Sequence, residues 1–491
     1  MSSTVPADTS VSPLTPSSNI LILGSGVFGL STALWLRRAG YEDVTVLDMQ
    51  DTASHSYSPA AIDSASADLN KIIRFSYGAE IEYQRLATEA AVLWDEWNAQ
   101  IAAARDEDLP DVLKEGERTL WWRAGMLRMS GGDELSAFEL QTLENMEAEG
   151  LRDQVFRSDD ENDLKRAQER GWAHKIDPCH RAERFGVHKA VLDSTAGFVV
   201  AYKSCAWARH LAEKAGVKFI LGQSRGKAVR IATDGASPAV HTADGKVHEA
   251  DRVIVACGGW TPSLLPETSH LLETTAGSVA TVQLPRDRPD LWGRFSPANF
   301  PVMTLDMTGG AGLYSLPRTE DGVVKVAYRG TKYTNYATTA EGKRISVPKT
   351  ANVTEEKETN IPLQALDAIK SYISANLPEL TPLGISSTKL CWYTDSIDNS
   401  FLIDRVPGRP GVLVCSGGSG HGFKFLPVLG REVVKILERE SRGEGDTVYG
   451  RMWKWRGCPP GHEKRNGLEE GEDGPRVLAK QRMATAGDWS F

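Results

Sequence analysis

The order of apolar and polar positions near the start of the chain predicts a strand, a helix and a second strand. The run Ile20-Leu-Ile-Leu23 has the length and apolar character of a buried parallel strand. Apolar residues at helical spacing follow it as far as Gly40, a residue type that often ends helices. Val44-Thr-Val-Leu-Asp48 then predicts a strand whose last residue is an acid. This order is typical of the first unit of a parallel sheet.

A glycine-rich turn joins the first strand to the helix. It reads Gly24-Ser-Gly26-Val27-Phe28-Gly29, and Asp48 follows 24 residues after its first glycine. Such glycines let backbone N–H groups and a helix N-terminus approach a pyrophosphate, and the acid can accept a hydrogen bond from a ribose hydroxyl. Strand, turn, helix, strand and acid together predict a dinucleotide site. A tight turn needed only for packing is the alternative.

Two later segments carry signals of the same kind. Arg252-Val-Ile-Val-Ala-Cys-Gly-Gly259 and Val412-Leu-Val-Cys415 predict strands, and the second leads into a glycine turn and a helical pattern through Leu437. Ligands bind where the strands of an open α/β sheet lead into helices. A nucleotide domain assembled from three separated pieces suits a long cofactor such as FAD. An NAD-dependent dehydrogenase would usually have one contiguous nucleotide domain, and no ribose acid follows the second glycine turn.

The remaining patterns predict a second domain with a mixed sheet. Strand signals with glycine turns, among them Gly309 and Gly310, occupy residues 119–129 and 278–336. Amphipathic helices are predicted at 82–103 and 362–377, and the tryptophans of the first are expected in the core. We therefore expect an FAD-binding domain from residues 18–110, 185–275 and 391–450, a substrate domain from 111–184 and 276–390, and disordered tails at 1–17 and 457–491.

Composition and charge narrow the class of protein. Of the 491 residues, 41% are hydrophobic and 25% are charged, as in soluble globular proteins. The net charge of −9 argues against a nucleic-acid partner, and no apolar run reaches the roughly 20 residues that cross a bilayer. Six cysteines without a CxxC pair indicate reduced thiols, and no metal-ligand spacing is found. Without secretory or peroxisomal signals, we expect a cytoplasmic protein.

Five stretches of the sequence carry a resemblance to a known family. They are GSGVFGLSTALWLRRAG (24–40), Asp68-Leu-Asn-Lys71-Ile-Ile-Arg74 with Tyr77-Gly78, Cys257-Gly-Gly-Trp260, Cys391-Trp-Tyr393-Thr-Asp395 and SGGSGHGFKFLP (416–427). The chain resembles the sarcosine oxidase-like flavoproteins, most closely the fungal fructosyl amino acid oxidases (amadoriases) and saccharopine oxidases. The resemblance implies a monomer with an α/β fold like that of glutathione reductase and D-amino acid oxidase. In that fold a discontinuous Rossmann-like FAD-binding domain accompanies an α+β substrate domain with a mixed sheet.

The resemblance also implies how FAD is held. Besides the first turn and Asp48, it assigns to the cofactor Lys71, Arg74, Gly418, Gly420, Gly422, Phe423 and Lys424. The family carries its flavin on a cysteine at the position of Cys391, through a thioether to the 8α carbon. A thiol beside an electron-poor ring can add to it after losing its proton. Without the family, Cys391 would be read as a small buried hydrophobe.

Catalytic and substrate-binding roles follow from the same resemblance. Lys325 aligns with the lysine that activates oxygen, where a fixed ammonium stabilises a superoxide-like anion. From its strand pattern alone, Lys325 would be an outward-pointing lysine. Lys424 matches the lysine that holds a substrate carboxylate, and Tyr314 and Tyr393 match aromatic residues of the pocket.

Arg329 departs from the family pattern. Amadoriases have a glutamate at this position, and sarcosine oxidase has a histidine. A guanidinium inverts the charge and favours an anionic group on the substrate, such as a second carboxylate. Pairing of Arg329 with a neighbouring acid is the alternative.

The resemblance predicts an FAD-dependent oxidase of secondary amines of amino-acid type. Such an enzyme oxidises the C–N bond to an imine, which water hydrolyses, and reduces O₂ to hydrogen peroxide. A fructosyl amino acid oxidase, a saccharopine or pipecolate oxidase, and an amine oxidase of specialised metabolism are all compatible. A flavin dehydrogenase with another electron acceptor is the alternative from a different class.

Overall fold

Two large sheets and three small ones organise the described part of the chain. The structure is a computed structural model. It describes residues 12–62, 64–307, 311–339, 342–349, 360–442, 445–457 and 470–491, so the glycines predicted in turns at Gly309 and Gly310 lie outside the described residues. Among the helices described, none is both long and apolar enough to span a bilayer.

The elements are numbered along the chain. The strands of the first half are β1 (Asn19–Leu23), β2 (Asp43–Asp48), β3 (Asn70–Ile73), β4 (Trp121–Trp122), β5 (Met126–Met129), β6 (Val155–Arg157), β7 (Ala190–Asp193), β8 (Gly197–Val200), β9 (Lys218–Leu221), β10 (Ala228–Ala232) and β11 (Ala239–Thr242). Those of the second half are β12 (Val247–Glu249), β13 (Arg252–Val255), β14 (Leu272–Gln283), β15 (Val302–Leu305), β16 (Leu313–Ser315), β17 (Val323–Thr334), β18 (Tyr336–Thr338), β19 (Arg344–Ser346), β20 (Ser387–Ser396), β21 (Leu402–Arg405) and β22 (Val412–Ser416). The α-helices are α1 (Val27–Arg38), α2 (Ile81–Ala103), α3 (Ala137–Ala148), α4 (Glu161–Glu169), α5 (Arg181–Phe185), α6 (Ala201–Lys214), α7 (Thr261–Leu264), α8 (Pro289–Arg294), α9 (Leu363–Asn376), α10 (Leu429–Arg442) and α11 (Val448–Trp453).

The first large sheet collects strands from distant parts of the chain. Its order is β21-β22-β13-β1-β2-β9, and all neighbours are parallel except β21 and β22. Strands β1 and β13 are almost entirely buried. Helix α1 packs on the sheet and contacts α6 and α10, and the separate small sheet β10-β11-β12 shares an apolar cluster with β1 and β13. The predicted strands in the three separated segments are confirmed as members of one sheet. The predicted domain boundaries around them remain predictions.

The second large sheet is mixed. Its order is β20-β14-β17-β16-β15-β5-β7-β6, and its long strands β14 and β17 pair antiparallel. Helix α9 covers β14 and β17, and the apolar core between them includes Leu366 and Ile369, both fully buried. A small sheet of order β3-β8-β4 and a hairpin of β18 with β19 complete the described strands. The predicted α/β fold with a mixed second sheet is confirmed.

The predicted helices are also confirmed. Helix α2 spans the predicted segment at 82–103, and α9 spans the one at 362–377. Trp94 and Trp97 are 0% and 2% exposed and pack edge to face, with ring centroids 5.1 Å apart. They belong to the core, as their helical spacing predicted.

The prediction of disordered tails is wrong for the residues that the structure describes. Near the N-terminus, the carbonyl of Ser12 accepts a hydrogen bond from buried Arg252. Near the C-terminus, residues 470–491 form three short 3₁₀ helices, Gly471–Asp473, Leu478–Lys480 and Ala486–Asp488. Arg476 of this stretch pairs with buried Glu273 at 2.9 Å.

A few buried apolar residues explain why the polar segment 470–491 is ordered. Val477, Leu478 and Ala484 are each less than 10% exposed, and Leu478 joins the core under the mixed sheet. Backbone bonds reinforce the packing, because the Thr334 N–H donates to the Arg476 carbonyl and the Ala484 N–H donates to the Ile361 carbonyl. The average composition of such a segment does not predict that it is ordered, because its few apolar side chains pack against residues far away in the sequence.

Replacing Leu478 should therefore destabilise the whole protein. Leu478→Ala removes a side chain that is 4% exposed, so we expect a loss of about 2–5 kcal/mol in the free energy of unfolding. Leu140→Ala is the matched control, because Leu140 is 45% exposed and should cost little. Urea unfolding of both variants measures the difference. Equal stabilities for the two variants would mean that residues 470–491 do not pack as described.

Candidate active site

A cavity of about 500 Å³ opens where the strands of the parallel sheet lead into their helices. Its wall includes the ends of β1, β2, β13 and β22, which is where an open α/β sheet binds ligands. The predicted site residues in this wall are Gly24, Gly26, Val27, Phe28, Asp48, Lys71, Tyr393, Gly418, Gly420, Gly422 and Phe423. Its volume lies within the range of small-molecule pockets.

The first glycine turn is fixed by close backbone contacts. Gly24 has a φ of +104°, and a Cβ there would lie 2.4 Å from the Ala256 carbonyl oxygen. A Cβ on Gly29 would lie 1.8 Å from the Gly24 carbonyl oxygen, so Gly29 serves packing beneath the cavity. Gly26 begins α1 at the cavity wall and provides no side-chain cap. This leaves the N-terminal end of the helix beside the cavity for an anionic group.

Asp48 ends β2 beside this turn. One carboxylate oxygen accepts hydrogen bonds from the Ser25 N–H at 2.6 Å and the Ser25 hydroxyl at 2.7 Å, and the other accepts from the Gln50 N–H at 2.8 Å. Burial raises the pKa of Asp48 above its ordinary value, and these hydrogen bonds from Gln50 and Ser25 oppose the shift. The fixed carboxyl group borders the cavity and can meet a ribose hydroxyl.

The second glycine turn meets the first one through Phe28. A Cβ on Gly422 would lie 2.7 Å from the Phe28 ring, and one on Gly418 would lie 3.3 Å from it. Only glycines allow the ring to pack this closely against the second turn. The two turns, predicted at opposite ends of the chain, therefore form one continuous wall.

The wall has the features that FAD requires. Two glycine turns let a cofactor approach the backbone, a helix N-terminus favours the pyrophosphate, and Asp48 provides the ribose acceptor. Tyr393 and Lys71 line the other end, next to the mixed sheet. The residues present thus fit a dinucleotide such as FAD.

One face of the mixed sheet gathers the predicted catalytic residues. Alternate residues of a strand share a face, so Lys325 and Arg329 of β17 point to the same side. Tyr314 pairs with Ala327, between them in β17, and Cys391 and Tyr393 alternate along β20. The alternation of side chains along the strands thus places five predicted site residues on one face: Tyr314, Lys325, Arg329, Cys391 and Tyr393. Tyr393 lies in the cavity wall, and the other four lie behind it, with Cys391 in contact with Lys71 and Arg329 in contact with Tyr393 and Gly420.

Lys325 of this face and Lys71 of β3 share one carboxylate. The Nζ atoms of Lys71 and Lys325 each lie 2.7 Å from Oδ2 of Asp68, and Lys325 also donates to the Asn70 carbonyl at 2.7 Å. Burial alone would raise the pKa of Asp68, but Lys325 and Lys71 lower it well below its usual range. Burial and the charge of Lys71 lower the pKa of Lys325, and Asp68 opposes this shift.

Lys71 also contacts the predicted flavin-carrying thiol. Its Nζ lies 3.5 Å from the Cys391 sulfur. Burial of Lys71 disfavours its charge, but Asp68, Cys391 and Tyr314 outweigh burial and raise the pKa of Lys71 above its ordinary value. The Lys71 ammonium thus places a positive charge beside this sulfur.

The groups that accept hydrogen bonds from Lys424 are uncharged. It is 2% exposed and donates to the Tyr77 hydroxyl at 2.8 Å and the His421 carbonyl at 2.9 Å. Burial, with the charges of Arg74 and Arg329, lowers the pKa of Lys424 well below its ordinary value. Burial and Lys424 likewise lower the pKa of His421, which is therefore neutral.

Arg329 lies against Tyr393 and the second glycine turn. Its Nε donates to the Tyr393 hydroxyl at 3.1 Å, and a Cβ on Gly420 would lie 2.4 Å from its guanidinium. Burial disfavours its charge, but Tyr393 and Asp395 hold the pKa of Arg329 above its ordinary value. Within the described residues, no carboxylate lies within 4.0 Å of Arg329, so the predicted alternative of an ion pair is not found there.

Three residues of this arrangement had no predicted role. Asp68 and Tyr77 lie inside stretches that carry the resemblance, and His421 lies between Gly420 and Gly422. Their position within those motifs was the available signal. Their partners lie 257 to 347 residues away in the sequence, so only the fold reveals the contacts.

Comparisons with known proteins agree with this geometry. L-saccharopine oxidase of Schizosaccharomyces pombe is 26% identical over 453 residues, covering 90% of this chain and 93% of that protein. N-methyl-L-tryptophan oxidase of Escherichia coli is 25% identical, covering 88% and 98%. The fold of fructosyl peptide oxidase from E. terrenum superposes with a TM-score of 0.74 at 24% identity, covering 96% and 99%.

The family match covers most of the chain. Residues 19–436 match the DAO family, described as FAD dependent oxidoreductase. That range includes both glycine turns, Asp48 and the catalytic face of the mixed sheet. The predicted FAD dependence is confirmed: the chain belongs to the DAO family of FAD-dependent oxidoreductases.

Proposed function

We propose that this protein is an FAD-dependent oxidase of secondary amines built on an amino acid, and that it converts their C–N bond to an imine and O₂ to hydrogen peroxide. One observation carries the proposal. Lys424 is a buried lysine that meets only neutral oxygens, beside a cavity with the features of an FAD site. A buried ammonium without a counter-ion is a ready partner for a substrate carboxylate.

Lys424 and Arg74 would hold that carboxylate. Both approach the Tyr77 ring, with Arg74 Cζ 4.3 Å and Lys424 Nζ 5.1 Å from its centroid. Tyr77 accepts from Lys424 and so fixes the direction of the ammonium. The cations also disfavour protonation of a nearby substrate amine, and the neutral amine is the form that can be oxidised.

A bound FAD would supply the two-electron redox chemistry between the carbon–nitrogen bond and oxygen. The chain's contribution is to hold the substrate nitrogen and carbon between Tyr77 and Tyr393 and to keep water out of this buried region. Lys325 would stabilise the negative charge that develops on oxygen, since its ammonium is fixed by Asp68 and the Asn70 carbonyl. No side-chain base is needed for a neutral amine.

We also propose that Cys391 carries the flavin covalently. Lys71 donates to the Cys391 sulfur from 3.5 Å, and Asp68 fixes Lys71 in that position. The attachment would anchor the reactive ring against the mixed sheet, in reach of Lys325.

The named relatives support an amine substrate of amino-acid type without selecting one. Saccharopine and N-methyl-L-tryptophan are both secondary amines with a carboxylate, and they are the substrates in the names of the two enzymes compared above. Fructosyl peptides belong to a protein at 24% identity, which supports only the fold. A dehydrogenase with another acceptor remains the second candidate, and the ammonium of Lys325 favours the oxidase.

Cys391→Ala should release the flavin. Acid-precipitated wild-type protein should stay yellow, because a thioether survives denaturation, whereas the supernatant of the variant should contain free FAD. Cys257→Ala is the matched control, since Cys257 lies in the wall of the same cavity. The absorbance of pellet and supernatant gives the answer. Free flavin from the wild type would exclude the covalent bond.

Lys325→Met should slow reoxidation of the reduced enzyme by oxygen roughly 10²-fold, because the developing anion loses its fixed ammonium. Anaerobic reduction by substrate should change much less, and stopped-flow absorbance separates the two steps. Lys389→Met is the control, since Lys389 lies on the same sheet and donates to carbonyls of Pro59 and Ala67. Unchanged reoxidation in Lys325→Met would remove Lys325 from the oxygen step.

Lys424→Met should change the pH profile of kcat/KM. Activity should rise with pH as the amine loses its proton, and fall again as Lys424, whose pKa is lowered, loses its charge and its hold on the carboxylate. The variant should lose this alkaline decline and roughly tenfold in kcat/KM. Lys435→Met, on exposed α10 surface, should keep the wild-type profile. An unchanged decline in Lys424→Met would assign it to another group.

A further inference from the structure

The region around Tyr77 and Tyr393, next to the cavity that Tyr393 and Gly420 line, holds more positive charge than one carboxylate requires. Arg74, Arg329 and Lys424 have no carboxylate oxygen within 4.0 Å among the described residues. Lys71 and Lys325, by contrast, share Asp68. Three neighbouring cations without a carboxylate partner are costly unless a ligand supplies the missing negative charge.

The cations divide into two groups. Arg74 and Lys424 flank the Tyr77 ring. Arg329 lies instead beside Tyr393, with its Cζ 5.1 Å from that ring centroid and its guanidinium against Gly420. The separate aromatic partners thus divide the positive charge of this region into two groups.

Arg329 uses only part of its hydrogen-bonding capacity. Its Nε donates to Tyr393, but neither terminal nitrogen has an acceptor among the described residues. A guanidinium has five N–H donors in a planar fork that matches a carboxylate. The unused edge of Arg329 is therefore shaped for an anionic group.

The groups around Arg329 do not neutralise it. Burial raises the pKa of Tyr77 and of Tyr314, so both hydroxyls are uncharged, and His421 is neutral. The buried acid Asp395 adds to the field at Arg329, but its Oδ2 accepts from Lys332 at 3.0 Å and Thr275 at 2.7 Å. Asp395 is thus engaged by another cation.

We propose that the substrate carries a second anionic group, which Arg329 binds, while Arg74 and Lys424 bind the carboxylate beside the reacting amine. The substrate class is an N-substituted amino acid with a distal carboxylate on the nitrogen substituent. This inference rests on the proposed function and adds a specificity-determining role for Arg329. A bidentate pair of guanidinium and carboxylate also fixes the direction in which the substrate lies.

Binding of unreactive diacids to the flavin-loaded protein tests the inference apart from catalysis. The probes are straight-chain dicarboxylates with two to five methylenes and their monoamides, and the readout is the perturbation of the visible flavin spectrum. The wild type should bind its preferred diacid roughly tenfold or more tightly than the monoamide. Arg329→Gln should lose that preference and keep its affinity for the monoamide. Arg288→Gln, at a site 49% exposed, should behave as the wild type.

A second variant guards against a folding defect in Arg329→Gln. Arg329→Lys keeps the charge without the planar fork, so its preference for the diacid should be intermediate. If diacid and monoamide bind the wild type equally, or do not bind at all, the inference is wrong. It is equally wrong if Arg329→Gln and Arg329→Lys both keep the full preference.

A separate experiment tests the proposed amine oxidation. Anaerobic bleaching of the flavin by N-(3-carboxypropyl)glycine and by its distal amide reports on amine oxidation. Bleaching by both at equal efficiency, with no diacid preference in binding, would overturn the second anionic group and leave the oxidase intact. Diacid preference without bleaching by any secondary amine would overturn the oxidase, and with it the claim that the dianion is a substrate.

Discussion

The catalytic face depends on one shared carboxylate. Asp68 lies just before β3 and joins Lys71 of that strand to Lys325 of the mixed sheet, each at 2.7 Å. Two buried ammonium groups close to each other would repel, and neither would keep its position without the acid between them. Under the proposed function, Lys71 would serve the anchoring of the cofactor at Cys391 and Lys325 its reoxidation, so Asp68 would couple the two. The pairing of β14 with β17 and β20 then places Arg329, Cys391 and Tyr393 on the same face as Lys325.

The opposite condition governs the substrate side. There, among the described residues, the cations have no carboxylate oxygen within 4.0 Å, and the surrounding hydroxyls and imidazole are neutral. This part of the molecule is electrostatically incomplete until an anion enters it. Incomplete charge in a buried site is unfavourable for folding but useful for recognition, because a correct substrate recovers the cost on binding. Under the proposed function, the Asp68 cluster would serve the cofactor and the oxygen step, whereas the cations near Tyr77 and Tyr393 would serve substrate recognition.

The local parts of this architecture could be predicted from the sequence, and the long-range parts could not. Gly24 and Gly29 mark the first turn because backbone atoms occupy the space of a Cβ, a constraint that any βα turn of this kind imposes. The contact of Lys325 with Asp68 joins residues 257 positions apart, and no periodicity encodes such a distance. The C-terminal stretch misled the prediction for a related reason. Leu478 and Arg476 find a core and an ion-pair partner in the mixed sheet, so an average over their polar neighbours says little about order.

The central claim is that this cavity holds a flavin reduced by an amino-acid-type secondary amine. The most direct measurement is an anaerobic titration of the purified yellow protein, followed by its visible spectrum, with saccharopine, pipecolate, sarcosine, N-methyl amino acids and fructosyl-valine in turn. The account predicts that the flavin band bleaches with at least one of these amines and returns when oxygen is admitted, with hydrogen peroxide formed. A flavin that stays oxidised with every amine, or a protein that binds no FAD on reconstitution, would contradict it.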